Sequence, residues 1–242
     1  MSTTKNNLLI ICCGKDSLHQ QWVTDHSTLG FDLCLLVYDE TNYSDLNSSK
    51  ARYTFNHKGY KFENISRFVT KDIYRQYDFI GIIDDDILTT PEDIDTLFAM
   101  GRKHNFDLFQ PSYSREGHPS HVDFLATEPQ FDFRLFNTVE IMCPFFSQRA
   151  YNVVCNEFDT SPYKMGYGLE YAFEKILSSQ NGQTVFGGYV AVVDKIVVKH
   201  CNPITQRFEI SEADIWYYRN KYQIPYLRVF DRNIIAGVKI ES

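Results

Sequence analysis

What the sequence lacks narrows it first. No apolar run approaches the roughly 20 residues that cross a bilayer; the longest candidates are Leu8–Cys13 and Phe79–Ile83. The N-terminal Met1-Ser2-Thr3-Thr4-Lys5-Asn6-Asn7 leads straight into a strand-like segment, without a hydrophobic signal core or cleavage site. A cytoplasmic protein with no membrane span is the expectation. There is no surplus of basic charge either. The 24 Lys and Arg stand against 31 Asp and Glu, a net charge of −7, which argues against general nucleic-acid coating through a broad basic groove. No C-x-x-C pair exists, and Cys12, Cys13, Cys34, Cys143, Cys155 and Cys201 lie mostly inside apolar stretches. Buried free thiols are therefore expected, not disulfides or a thiolate metal site. With only 8 Pro and 12 Gly, no repeat and no low-complexity tract, the chain is neither collagenous nor disordered.

What is present suits one α/β domain. The 242 residues are 43% hydrophobic and 15% aromatic, and a single α/β unit can reach roughly 250 residues. Leu8–Cys13, closed by Gly14, and Leu33–Tyr38, closed by Asp39-Glu40, are continuous apolar runs of the kind covered on both faces of a sheet. With Lys15–Leu29 as crossover helix they read as a β-α-β unit. A helical stretch over Lys61–Tyr77 leads to the strand Phe79–Ile83, and Pro91–His104 opens a helix with Glu92 and Asp93 in its first turn. Further on, Leu108–Gln110, Val122–Ala126, Phe131–Phe133 and Val139–Met142 read as short strands. Ser147–Glu157, Leu169–Gln180 and Ser211–Tyr222 read as helices, and Tyr189–Lys199 as a long strand ending at His200.

The strongest chemical signal is Asp84-Asp85-Asp86, at the carboxyl end of an apolar strand, where open α/β sheets place their ligands. Three adjacent carboxylates repel one another, and a hard divalent cation relieves the repulsion and can bridge phosphate oxygens. The alternative is a solvated acidic turn that caps the next helix; the buried strand before it and the helix after it favour metal. A second signal is Lys164-Met165-Gly166-Tyr167-Gly168-Leu169-Glu170-Tyr171. Its paired glycines allow close backbone approach, and Glu170 falls in a first helical turn. Facing a cleft, Glu170 could accept a proton from an attacking hydroxyl; the competing reading is a turn followed by a helix-stabilising acid. His200, at a strand end, is on its own a structural histidine.

Taken in order, Cys13-Gly14-Lys15, Lys61-Phe62, Asp84-Asp85-Asp86-Ile87, Gln110-Pro111-Ser112, the block Val139–Ser147, Gly166-Tyr167-Gly168-Leu169-Glu170 and Val193-Asp194-Lys195 with His200 resemble the DUF707 family within the GT-A glycosyltransferases. The resemblance spans residues 8–200. Tyr167 stands where Trp is expected and Glu170 where Asp is expected, each keeping its chemical type; residues 201–242 match nothing in the pattern.

The resemblance implies a GT-A-like (Rossmann-like) single domain with a mostly parallel central sheet flanked by helices. Residues 8–110 would form the nucleotide-sugar-binding half and 111–200 the acceptor and catalytic half. It implies a transferase moving sugar from a nucleoside-diphosphate sugar, a UDP-sugar first among them, to an acceptor hydroxyl on a glycan, a small molecule or a modified nucleobase, with inversion. Asp84, Asp86 and His200 would hold Mn2+ or Mg2+. Gly14, Lys15, Asp39, Lys61, Asp84 and Asp85 would bind donor, Gly166, Tyr167 and Gly168 would face acceptor, and Glu170 would be the base. Arg67 is a weaker donor contact, and Glu140 is structural or acceptor-facing. Trp216, Tyr217 and Tyr218 join Tyr167 as candidates for stacking on a sugar or base. Two rivals remain: a metal-dependent nucleotidyltransferase or phosphohydrolase using the same acidic triplet, and a non-catalytic carbohydrate-binding protein suited to the aromatic content.

Overall fold

The computed structural model describes residues 5–24, 26–41, 46, 48–118, 122–136, 138–178, 190–203, 208–225 and 236–238. Runs that are apolar on both faces need cover on both faces. Accordingly β1 (Asn7–Cys13) and β2 (Asp32–Val37) are buried along their whole length. They pair in parallel; β1 also pairs in parallel with β4 (Phe79–Asp84), and β2 with β3 (Ala51–Asn56). The chain thus runs from β1 to β2 and β3 on one side and to β4 on the other, which opens a crevice at the carboxyl ends of the strands.

The second half extends the same sheet with β6 (Leu108–Tyr113), β7 (Phe133–Phe136), β8 (Phe145–Ser147), β9 (Val190–His200) and β10 (Ala236–Val238). The order is β10-β7-β9-β6-β8-β4-β1-β2-β3, with the two-residue β5 (Ile87–Leu88) paired to β9 off this path. Short antiparallel β8 joins β4 to β6, and β6 runs parallel to β9. Most registered residue pairs are parallel.

One buried ion pair ties β7 to β9. Arg134 forks onto Asp194, Nε to Oδ2 at 2.7 Å and Nη2 to Oδ1 at 2.8 Å, with both side chains fully inside. Nη1 and Nη2 also reach the carbonyls of Phe124 and Ala126, so four of its five N–H groups are bonded. A buried guanidinium is tolerable only when its donors are satisfied this fully. Asp194, part of the family-like pattern, is thereby a strut of the sheet.

The helices are α1 (His19–Trp22), α2 (Lys61–Phe68), α3 (Lys71–Tyr74), α4 (Pro91–His104), α5 (Val122–Leu125), α6 (Gln148–Val154), α7 (Leu169–Ser178) and α8 (Phe208–Tyr222). In α4 the termini are those the sequence implies. Thr90 Oγ1 accepts from Asp93 N at 3.1 Å, Pro91 occupies the first turn, and Asn105 closes the helix in the left-handed region at φ 54°. Replacing this cap, Thr90→Ala, is expected to cost about 1 kcal/mol of stability with nucleotide binding unchanged, read by denaturant melts.

Several expected elements differ. The crossover helix over Lys15–Leu29 shrinks to α1, because Leu18 N–H bonds the Asp85 carbonyl at 2.7 Å and draws the segment onto the acidic turn. Lys61–Tyr77 breaks at extended Thr70 into α2 and α3. Val122–Ala126 holds the helix α5, not a strand, and Phe131–Phe133 shifts to β7. Val139–Met142 is not a strand: Glu140 N–H bonds Gln110 Oε1 and Ile141 N–H bonds Glu140 Oε1 in place of a ladder. Ser147–Glu157 divides into α6 and a 3-10 turn over Cys155–Glu157. Helix α7 stops at Ser178, with 179–180 outside the described residues, as is Tyr189 before β9. Helix α8 starts at Phe208, ahead of Ser211, and β3, β5, β8 and β10 were not anticipated. All six cysteines are free, four buried and two half-buried. No described helix is long and apolar enough to cross a membrane.

Candidate active site

Strand β4 delivers Asp84 at its last residue, and the chain turns through Asp85 and Asp86 directly into β5. Because β5 pairs antiparallel with the end of β9, Ile87 opposite His200, the turn meets His200. His200 Nε2 lies 3.0 Å from Asp86 Oδ2, and Cys201 N–H bonds the Asp86 carbonyl at 2.9 Å. On the other ring edge His200 Nδ1 lies 2.8 Å from the His118 carbonyl, which can only accept, so Nδ1 carries the proton and Nε2 faces the carboxylate. Burial disfavours the charged imidazole, yet the Asp86 carboxylate and the His118 carbonyl outweigh it and hold His200 above its ordinary value. Among the described residues, Asp86 Oδ1 is buried with no hydrogen-bond partner.

Asp84 and Asp85 have partners of their own. Lys61 Nζ, from the first turn of α2, lies 2.5 Å from Asp84 Oδ1 and 2.5 Å from the Ile141 carbonyl. Burial raises Asp84, with Lys61 opposing the rise. Tyr38, just past β2, donates its hydroxyl to Asp85 Oδ2 at 2.5 Å. Burial pushes Asp85 up to about 6, with Asp84 and Asp86 adding to the rise and the Tyr38 hydrogen bond opposing it.

Across from this turn stands the glycine loop. Gly166 and Gly168 lie at φ 89° and 90°, where side chains are strained. A Cβ on Gly166 would collide with the Phe62 ring, and one on Gly168 would sit 2.6 Å from Ile215 Cα. The loop therefore packs flush on α2 and α8 and leads into α7, whose first turn bears Glu170. Glu170 Oε2 accepts from Gly168 N–H at 2.9 Å, and the side chain is 6% exposed. Burial pushes its carboxyl up to about 8, with nearby Glu140 adding to the rise and Gly168 N–H and Lys61 opposing it.

These parts enclose a cavity of about 540 Å³. Its lining brings together seven of the residues singled out for donor, acceptor, metal or base roles: Lys61, Asp84, Asp85, Asp86, Tyr167, Glu170 and His200. Gly14, Lys15 and Asp39 are not in the lining. They form a neighbouring knot at the ends of β1 and β2, where Lys15 N–H bonds Asp39 Oδ2 at 3.0 Å and Gly14 lies against Tyr38, which does line the cavity. Gly166 and Gly168 shape the loop without lining the cavity, and Arg67 turns away to His57 Nε2 at 3.0 Å. Glu140 does line it. Tyr218 is fully buried, donating to the Glu157 carbonyl at 2.7 Å, so it is core and not a stacking surface. Trp216 is exposed and Tyr217 half-buried, both outside the lining. Sequence reasoning missed Tyr38, Tyr60, Met165, Tyr171, Ser211 and Ile215. Tyr38 was legible as the residue after a buried strand; Tyr60 follows the unanticipated β3.

Two carboxylates and an imidazole are the donors a divalent cation takes, and the orphaned Asp86 Oδ1 is an acceptor awaiting a partner. The residues fit such an ion in kind. They are not closed into a cage: among the described residues no three His, Cys, Asp or Glu side chains form a ready metal group, and Lys61 stands on Asp84.

No protein-family model and no curated protein matches the chain. Solved structures do. Glucosyl-3-phosphoglycerate synthase from Mycobacterium tuberculosis, in complex with Mn2+, UDP-glucose and phosphoglyceric acid, superposes with a TM-score of 0.57 at 13% identity, over 93% of this chain and 85% of that one. The same enzyme with Mg2+ and UDP gives 0.56 at 14% identity, over 91% and 80%. TarS 1-349 from S. aureus gives 0.51 at 10% identity, over 82% of this chain and 60% of that one. The fold is GT-A-like. Within it, the acidic turn sits at the carboxyl end of β4, beside the point where the strand order reverses around β1.

Proposed function

We propose that this GT-A-like protein is a metal-dependent glycosyltransferase of the DUF707 kind, moving sugar from a nucleoside-diphosphate sugar to an acceptor hydroxyl with inversion. One observation carries the reading: Asp84, Asp86 and His200 share a single cavity with a buried, elevated carboxylate, Glu170, on a separate element. A uridine diphosphate sugar is the first donor to try, because UDP and UDP-glucose occupy the similar structures named above.

A divalent cation held by Asp84, Asp86 and His200 would supply charge neutralisation for the departing diphosphate. Lys61 adds a positive charge at the same wall, and Tyr38 orients Asp85 from the nucleotide side. Glu170 takes the proton of the acceptor hydroxyl as that oxygen attacks the anomeric carbon. The bond from that carbon to the diphosphate breaks, the electron pair leaves with the nucleoside diphosphate, and Glu170 ends protonated. Attack from the face opposite the leaving group gives inversion, and anomeric analysis of the product tests it. Release of nucleoside diphosphate, not pyrophosphate or phosphate, separates this reaction from nucleotidyl transfer and phosphohydrolysis.

The elevated carboxyl fixes the pH dependence. A base works deprotonated, and burial with Glu140 holds Glu170 protonated up to about 8. Turnover is therefore expected to rise tenfold per pH unit below 8 and level off above it. Glu140→Gln removes one source of the elevation and is expected to move the midpoint downward. A pH–rate profile flat from 6 to 9 would contradict Glu170 as the base.

A further inference from the structure

We infer that Asp214, on α8, is a positioning residue of this site: its carboxylate clamps the glycine loop that sets Tyr167 and Glu170 in place. The inference rests on the transferase reading and assigns a role to the part of the chain that the family-like pattern leaves unmatched. Asp214 is fully buried, with Oδ1 accepting from Tyr163 N–H at 2.9 Å and Oδ2 from Met165 N–H at 3.0 Å. One carboxylate thus spends both oxygens on backbone two residues apart. It does so where the backbone is least able to hold itself. Lys164, Gly166 and Gly168 all have positive φ, at 55°, 89° and 90°, so no regular ladder runs through the loop.

The next residue of α8 completes the contact. Gly168 lies against Ile215 so closely that a Cβ would sit 2.6 Å from Ile215 Cα. Gly168 N–H in turn holds Glu170 Oε2. A chain of direct contacts therefore runs from α8 to the carboxylate that takes the proton. The same helix lines the cavity through Ser211 and Ile215, beside Met165, Tyr167 and Tyr171. A buried carboxylate accepting two N–H bonds is directional and strong, whereas the isosteric amide offers one acceptor and turns an N–H toward the second donor.

Asp214→Asn tests this. The expected result is a fall in kcat of about 10²-fold, the scale of a misplacement near 1 Å at a reacting centre. Donor KM and the Kd for UDP with Mn2+ should stay within about twofold, since Asp84, Asp86 and His200 do not touch the loop clamp. In the wild type, hydrogen exchange should find the Tyr163 and Met165 amides protected despite their place in a loop, a readout that stands even if the variant does not fold. The inference is overturned by a variant turning over within threefold of wild type, or by free exchange at both amides in the wild type. Nucleotide binding lost together with kcat would reduce Asp214 to a structural residue. Should the wild type bind no UDP with Mn2+, it is the transferase reading that fails, and exchange still reports on the clamp.

Discussion

Glu170→Gln is expected to slow sugar transfer by about 10²–10⁴-fold while leaving donor binding within a factor of two of wild type. The amide keeps an oxygen for the Gly168 N–H that now bonds Glu170 Oε2, so the loop is held while the proton acceptor is gone. The same variant should be more stable than wild type in alkali. Glu170 titrates near 8 in the fold against 4.5 for an unhindered glutamate. The folded state therefore binds the proton more tightly, and this group's contribution is fully present below 4.5 and lost as the pH rises toward 8 and through it. Glutamine has nothing to lose over that window. Thermal melts of the two proteins should diverge between pH 4.5 and about 8, with wild type falling further, and keep a constant gap above that. A gain in stability coupled to a loss of rate is what a buried functional carboxylate produces. Parallel melting curves and an unchanged rate would return Glu170 to the role of a helix-capping acid.

Asp86→Ala is the second large effect. Asp86 joins the acidic turn to His200 through its Oδ2 and, among the described residues, leaves Oδ1 buried without a partner. Removing it should abolish metal-dependent binding of nucleoside diphosphate, measured by calorimetry with Mn2+ and with EDTA. The fold should persist, because β5 remains paired to β9 through backbone and Cys201 N–H still bonds the carbonyl at position 86. A variant that binds UDP with Mn2+ as tightly as wild type would remove Asp86 from the metal site.

Much of this was legible because it was local. The run Phe79–Ile83 ending in three aspartates announced both a buried strand and a ligand at its carboxyl end, and the start of α7 at Leu169 placed Glu170 in a first turn. Helix α4 carried its own start and stop signals. The remainder depended on tertiary pairing. β5 is two residues long and exists because β9 is there to receive it, yet that pairing is what sets His200 against Asp86. β3, with the mixed sequence Ala-Arg-Tyr-Thr-Phe-Asn, lies at one end of the sheet and is only partly buried, so it carries no clean alternation. Lys15–Leu29 has helical length, but its backbone is captured by the Asp85 carbonyl. Val139–Met142 is apolar enough for a strand, while its amides are taken by Gln110 and Glu140 side chains. The partnership of Lys61 with Asp84 and of Asp214 with the glycine loop are long-range contacts that no spacing rule reports.

The most direct test of the account is a thermal-shift and calorimetric comparison of wild-type protein with nucleoside diphosphates in Mn2+ and in EDTA. It predicts saturable binding of UDP with Mn2+ that EDTA abolishes. Equal binding in both conditions, or none across the nucleoside diphosphates, would contradict a metal-dependent nucleotide-sugar site at Asp84, Asp86 and His200.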